Sequence, residues 1–253
     1  MARSTESALN PIVVIPARLA ATRLPDKPLA DIHGRPMIAH VVDRALEADV
    51  GPVLVAAAEA AVADAVEAAG GRAVLTDPDL PSGSDRVAAA LHEIDPERHH
   101  DAVINLQGDL PTIDAAAVRA CLAPLADADV DIATLVAEIT DADEIDDPNV
   151  VKAAIAMADG ANIGRALYFS RATMPAGQGP LFHHIGIYAY RRSALERFIT
   201  LDPGVLERRE RLEQLRALEA GMRIDAARVD TVPLGVDTPA DLERARRLLD
   251  PNR

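Results

Sequence analysis

The sequence predicts an α/β fold: a doubly wound, mostly parallel sheet with a smaller antiparallel extension. From Ile12 to Leu106, short apolar runs rich in β-branched residues alternate with helix-length segments, the pattern of parallel strands joined by helical crossovers. After Asp127 that alternation stops, and strand-like runs separated only by loops read as antiparallel strands. The chain has 253 residues, 49% of them hydrophobic and only 2% aromatic, enough apolar material for one substantial core packed closely through small side chains. Residues 1–10 read as a flexible N-terminus and 11–253 as one domain, with 127–200 carrying the extension.

Ile12-Val13-Val14-Ile15 is a buried strand stopped by Pro16. The segment after it is too polar and proline-punctuated for core, and Arg18, Arg23 and Lys27 stand there among Pro16, Pro25 and Pro28. Met37 to Ala48 has helical spacing beginning just after Pro36. Pro52 to Ala57 is a strand, Ala60 to Ala69 a helix closed by Gly70-Gly71, and Arg72 to Thr76 a third short strand. Leu80 to Arg86 opens the next helix, with Ser82-Gly83 either exposing backbone groups to a ligand or forming an ordinary capping turn. Asp101 to Leu106 is the fourth strand, ending in Gln107-Gly108-Asp109-Leu110-Pro111.

In the second half, Ile132 to Ile139 and Val150 to Met157 are strand-like, and the acidic segment Asp141 to Asp147 is a solvated loop. Lys152 either faces a substrate or is exposed. A further strand-like run closes on Tyr168-Phe169-Ser170-Arg171. His184 to Tyr190 alternates, putting His184, Gly186 and Tyr188 on one face and Ile185, Ile187 and Ala189 on the other. One face suits core and the other a site. Leu206 to Ala220 reads as a single helix ending at Gly221, with Glu207, Glu210 and Gln214 on one face; the default for Glu207 and Arg208 is solvent. Thr238 before Pro239 is the N-cap of the last helix.

Forty acidic residues against 26 basic ones give a formal charge of −14. Nucleic acid and anionic membrane are poor partners for such a surface, because both require basic faces. The three cations of the first loop stand out accordingly. Two guanidinium forks and an ammonium suit a triphosphate, and loops beyond the carboxyl ends of parallel strands are where such folds bind ligands; a solvated surface loop is the alternative. Asp109, just past a strand end and beside Gly108, can reach a metal bridging nucleotide phosphates, for which Mg2+ favours oxygen ligands, or can be a turn residue. Arg171 has the geometry to grip a carboxylate. Cys121 is the only cysteine, a small buried thiol flanked by Ala120 and Leu122, consistent with a reducing compartment. Met1 to Ser7 lacks the apolar core of a signal peptide and no run is long enough to span a bilayer, so a cytoplasmic protein is expected.

The basic loop, Pro16-Ala17-Arg18, Thr22-Arg23-Leu24-Pro25 and Lys27-Pro28-Leu29, resembles the nucleotide loop of the sugar-activating cytidylyltransferases, most closely the CMP-Kdo synthetase (3-deoxy-manno-octulosonate cytidylyltransferase) family. The likeness continues through Ser82-Gly83, Gln107-Gly108-Asp109, Tyr168 to Thr173, His184 to Tyr188, Leu212-Glu213-Gln214-Leu215-Arg216 and Gly235-Val236-Asp237-Thr238-Pro239, in family order over nearly the whole chain. The resemblance implies a nucleotide-diphospho-sugar transferase type of sheet and the reaction of CTP with Kdo to CMP-Kdo and pyrophosphate, a step of lipopolysaccharide biosynthesis. It implies that Ala17, Arg18, Arg23 and Lys27 bind nucleotide together with Ser82, Gly83, Gln107 and Asp109. Gln107, Arg171, His184, Tyr188, Glu210 and Gln214 would hold the sugar acid. Asp109 and Asp237 would hold Mg2+, and with Arg18 and Lys27 form the catalytic set. A homodimer through the Asp147 to Arg192 region is also implied. The sequence departs from the family where Leu110 replaces the usual Glu and where the loop Pro175 to Phe182 is short. Two other readings stay open: a related nucleotidyltransferase for another 2-keto-sugar acid, and a non-catalytic nucleotide-binding regulatory protein.

Overall fold

Strand β1 (Pro11–Ala17) is apolar on both faces, and that places it inside a two-layered molecule. The computed structural model describes residues 9–20 and 23–251. Ile12 and Val14 point into one layer, Val13, Ile15 and Ala17 into the other, and all five are buried. The chain continues through a hairpin of β2 (Asp31–Ile32) and β3 (Arg35–Pro36) into helix α1 (Met37–Ala48), β4 (Val53–Ala57), α2 (Ala60–Ala68) and β5 (Ala73–Leu75). Then come α3 (Gly83–Ile94), β6 (Ala102–Asn105) and α4 (Ala115–Ala120). Strands β5, β4, β1 and β6 lie side by side and parallel. α1, α2 and α4 cover one face of them, and α3 covers the other. The alternation of the first half therefore gives the doubly wound half-sheet expected of it.

The second half supplies β7 (Ile132–Glu138), β8 (Lys152–Ala156), β9 (Ile163–Ser170), β10 (Phe182–Arg191), α5 (Arg192–Phe198), α6 (Val205–Glu210), α7 (Leu215–Glu219), β11 (Ile224–Val229) and α8 (Pro239–Leu248). Antiparallel pairing is present, but these strands are not a small appendage. The nine strands form one continuous sheet in the order β5-β4-β1-β6-β10-β7-β11-β9-β8, with β10 in the middle, antiparallel to both β6 and β7. β10 can sit there because both its faces are apolar or aromatic: Ile185, Ile187 and Ala189 enter one layer, Tyr190 and Phe182 the other.

The helix expected over Leu206–Ala220 breaks in two. Arg211 takes a left-handed backbone with φ 57°, and Leu212 turns inward to 7% exposure. The break lets α7 fold back on α6. Glu219 then accepts the amides of Val205 and Leu206 at 2.8 and 3.1 Å, and Glu207 forms a two-pronged ion pair with Arg216 at 2.6 and 2.8 Å. These contacts satisfy helix-terminal groups that one straight helix would leave to water. Glu207 is thus engaged rather than solvated. Lys152 is likewise fully buried rather than exposed, donating to the carbonyls of Asp147 and Val150 at 2.6 and 2.9 Å. Of the expected flexible N-terminus, residues 1–8 lie outside the described residues; Asn10 is tied to Asp101 at 2.7 Å and to the His99 carbonyl at 2.9 Å. The segment around Asp141–Asp147 is mostly exposed, as expected, with one short 3-10 turn at Ala142–Glu144.

Asp95 at the end of α3 and Arg192 at the start of α5 form a buried ion pair that clamps two helices of the same layer. Burial opposes ionisation of Asp95, but the amides of His100 and His99, the His99 ring and Arg192 outweigh it and hold the carboxyl well below its usual range. Arg192→Ala leaves that charge buried and unpaired, and is expected to lower the unfolding free energy by about 3–5 kcal/mol in urea titration. Because the folded-state value is depressed, the carboxylate's contribution is complete above about pH 5 and is lost as the pH falls through the unfolded-state value toward the folded one. Urea midpoints of the unsubstituted protein should accordingly fall between about pH 5 and pH 3.

Candidate active site

The carboxyl ends of β1 and β6 and the start of α3 open onto one cleft of about 430 Å³. Its floor is close-packed backbone: a Cβ on Gly108 would stand 3.0 Å from the Pro16 carbonyl oxygen, so glycine is what lets the β6 turn approach β1. A third, small core completes the cleft. Leu24 from the first loop, Ile32 of β2 and Met37 of α1 pack with Val236, Leu242 and Ala245, and the Val236 amide donates to the Asp109 carbonyl at 2.9 Å. Two ends of the chain thereby meet, and Asp237 arrives beside the first loop.

The meeting point is electrostatic. The Lys27 ammonium donates to Asp109 at 2.8 Å and to Asp237 at 3.0 Å, and Arg23 reaches the other oxygen of Asp237 at 3.0 Å. Burial alone would lower the Lys27 pKa, but the two carboxylates outweigh it and the value is raised, so the ammonium is charged at neutral pH. Arg18 lines the same cleft and is exposed. Ala21 and Thr22 lie outside the described residues. Ser82 is a capping residue as the local pattern allows: it accepts the Asp85 amide at 3.2 Å and donates to the Asp85 carboxylate at 2.7 Å. The N-terminus of α3, with Ser82 and Gly83, faces the cleft and favours an anion there. Ala17, Gln107 and Asp109 line it too, which gathers every residue assigned to the nucleotide.

Arg86 lines the cleft as well, although no sequence motif marks it. Its buried guanidinium holds Thr76, Asp77 and Pro78 through bonds of 2.7, 2.9 and 3.2 Å; the only signal was an Arg one turn inside a Ser-capped helix. Among the described residues no three His, Cys, Asp or Glu converge on one point. Asp109 and Asp237 nonetheless bracket a single cation with oxygen donors. Two carboxylates fit Mg2+, which completes its shell from substrate phosphates and water. Leu110 does not reach the cleft; at 8% exposure it packs into the core.

The residues assigned to the sugar acid, Gln107 apart, do not line this cleft. Gln107 donates its amide to Asn105 at 3.0 Å. Arg171 spends Nε on the Glu210 carbonyl and Nη1 on the Pro148 carbonyl, both at 3.0 Å. Glu210 in turn accepts from Ser170 at 2.9 Å and from the Arg171 amide at 3.1 Å. Glu210 is therefore a brace between α6 and β9, and Arg171 is partly consumed by the same brace. His184 and Tyr188 share one face of β10 with Phe169 beside them. That face is aromatic core as much as site, because Tyr188 continues into Tyr190 and Phe198.

The break at Arg211 exposes a pair that helical periodicity concealed. Glu213 accepts from Ser84 at 3.0 Å through one oxygen, while its Oε1 and the neighbouring Gln214 Nε2 are enclosed and have no hydrogen-bond partner. Glu213 lines a hollow that shares Ser82 with the nucleotide cleft. An enclosed acceptor beside an enclosed donor costs stability unless a ligand completes both. Gln214, expected at the sugar acid, therefore has a donor to offer, and Glu213 beside it in sequence an acceptor, whereas Glu210 is already engaged by Ser170 and the Arg171 amide. The signal for Glu213 was a polar pair framed by Leu212 and Leu215.

Residues 12–224 match the cytidylyltransferase family. The 3-deoxy-manno-octulosonate cytidylyltransferase of Rhodospirillum centenum is 72% identical over 247 residues, 98% of this chain and 96% of the relative. That of Paramagnetospirillum magneticum is 66% identical over 241 residues, 95% of this chain and 98% of the relative. A solved structure of CMP:2-keto-3-deoxy-manno-octonic acid synthetase complexed with CTP superposes with a TM-score of 0.88 at 40% identity, covering 96% of this chain and all of that one.

The Lys27 ammonium occupies the space between the two carboxylates that a divalent cation would use. Lys27→Met should therefore tighten binding of Mn2+ to the nucleotide-free protein by about tenfold or more, measured by electron paramagnetic resonance titration. Unchanged Mn2+ affinity would count against Asp109 and Asp237 as the cation's ligands.

Proposed function

The chain belongs to the cytidylyltransferase family, and from that premise we propose that it couples CTP to 3-deoxy-manno-octulosonate (Kdo), releasing CMP-Kdo and pyrophosphate for lipopolysaccharide biosynthesis. The observation that carries the reading is the cleft in which Arg18, Arg23 and Lys27 surround two carboxylates at the mouth of a parallel sheet. The extensive identity to curated relatives that carry this name supports the substrate pair.

The triphosphate lies along Arg18, Arg23 and Lys27, whose charges offset its own. Its arrival draws the Lys27 ammonium toward phosphate oxygen and releases Asp109 and Asp237. Those two carboxylates are the groups that would hold Mg2+, which would supply further positive charge at the phosphates. The cytosine end rests against the Ser82-Gly83 turn. The anomeric hydroxyl of the sugar acid attacks the α-phosphorus; a new P–O bond forms as the bond to pyrophosphate breaks, and the hydroxyl proton is released to solvent. The residues of the cleft act by orientation and charge. Gln107 stands between nucleotide and sugar, and the orphan atoms of Glu213 and Gln214, with His184, Tyr188 and the remaining Nη2 of Arg171, receive the sugar acid. Exposed Ile163 and Leu167 on β9 support pairing of two copies through the 147–192 region.

Pyrophosphate release tests the reading: it should require both CTP and Kdo and fail with ATP, GTP, UTP or a sialic acid. Release with CTP and a different acid would move the substrate, and CTP binding without release would favour a non-catalytic protein. Asp109→Asn and Asp237→Asn should each lower kcat by about a thousandfold with an unchanged circular dichroism spectrum. Glu213→Ala should raise the KM for Kdo by about tenfold and leave that for CTP within about twofold.

A further inference from the structure

We propose that Thr134 is a positioning residue that fixes His184 as its Nε2–H tautomer, so that the ring offers Nδ1 as an acceptor to a hydroxyl of the sugar acid. The hydroxyl contact rests on the function proposed above; the tautomer does not. Thr134 is fully buried on β7. Its Oγ1 lies 2.8 Å from the Ile187 carbonyl, 3.2 Å from the Ile185 carbonyl and 3.0 Å from His184 Nε2. A threonine hydroxyl has one hydrogen, and carbonyl oxygens can only accept it. If that hydrogen went to the ring, both carbonyls would face bare oxygen in a buried site. It therefore goes to a carbonyl, and Nε2 must be the donor to Oγ1.

The sheet explains why a threonine stands there. Between Ile185 and Tyr188 the register of β10 against β7 slips: Leu135 pairs Ile185, but Thr134 pairs Tyr188. Gly186 and Ile187 form the resulting bulge. Bulges disturb the ladder and re-aim side chains, and the Thr134 hydroxyl serves the two carbonyls that flank this one. The bulge, the hydroxyl and the ring form one unit.

His184 has only one N–H to place. Burial keeps its pKa down at about 3, with the neighbouring His183 adding to the effect, so the ring is neutral throughout the physiological range. Phe169 meets it edge-on at 4.8 Å and Tyr188 lies 5.6 Å away, which restrains its rotation. Nδ1 has no partner among the described residues and is not among the fully enclosed atoms, in a residue 8% exposed as a whole. A neutral ring with a bare nitrogen accepts from a hydroxyl and repels a carboxylate. His184 thereby sorts the hydroxyl side of a sugar acid from its acid side.

Long-range proton–nitrogen correlation spectra of 15N-histidine protein read the tautomer directly, with His184→Asn identifying the signals. The wild-type, ligand-free protein should show Nε2–H, and Thr134→Ser should keep it. Thr134→Val, which removes the hydroxyl at nearly constant shape, should give a mixed or Nδ1–H spectrum and raise the KM for Kdo about tenfold, with kcat and the KM for CTP within about twofold. An Nδ1–H signal in the wild type overturns the proposal even where the valine variant does not fold. So does a folded Thr134→Val protein with an unchanged tautomer and unchanged KM. An Nε2–H spectrum that depends on Thr134, in a protein that releases no pyrophosphate from CTP and Kdo, would refute the assigned substrate and leave the tautomer assignment standing.

Discussion

One ammonium group joins the ends of this protein. Lys27, twenty-odd residues from the start, lies between Asp109 from the middle of the chain and Asp237 from near its end. None of these three segments would hold its place alone: the first loop is irregular, the β6 turn is a short corner, and Asp237 precedes α8. The small apolar core of Leu24, Met37, Val236 and Leu242 brings the loop and α8 together, and the ion pairs then set the side chains. Attraction between like-charged carboxylates is impossible without a cation between them. Their convergence is itself a sign that the place is meant for positive charge, whether ammonium or metal.

The rest of the sheet depends on the need to bury strands on both faces. β1 and β10 are both doubly covered: β1 delivers Ala17 and Arg18 to the cleft, and β10 carries His184 and Tyr188. A continuous sheet through β6, β10 and β7 puts the first-loop cleft and the strand that carries His184 and Tyr188 on one platform. Rigid strands hold reacting groups more precisely than loops do, which matters in a reaction that depends on alignment. The β10 bulge is the local exception, and a buried threonine stabilises it.

The broken α6–α7 segment shows the same economy of polar groups. Glu207, Glu210 and Glu219 look alike in sequence, yet each is engaged by a particular partner: Arg216, Ser170 with the Arg171 amide, and the first amides of α6. Only Glu213 and Gln214 of this segment keep enclosed atoms without partners. What sets these two residues apart is what the fold leaves unsatisfied, since an enclosed orphan is tolerated where a ligand completes it.

Much of this was determined by the sequence alone. β-branched runs separated by helix-length segments settle the parallel half-sheet, Met37–Ala48 begins after its proline, and Ser82 and Thr238 cap their helices as side-chain chemistry requires. The basic loop and Asp109 were legible because charge clusters and strand-end turns are local features, whereas Asp237 was marked only by the family resemblance. Tertiary structure alone decided that β10 lies in the centre of the sheet, that Leu206–Ala220 bends at Arg211, that Lys152 and Glu210 are braces, and that Glu213 keeps an unpaired oxygen. The physical reason is common to all four. Periodicity reports which face a residue occupies, whereas strand order and hydrogen-bond partners depend on segments distant in sequence, and those are set only when the chain has closed on itself.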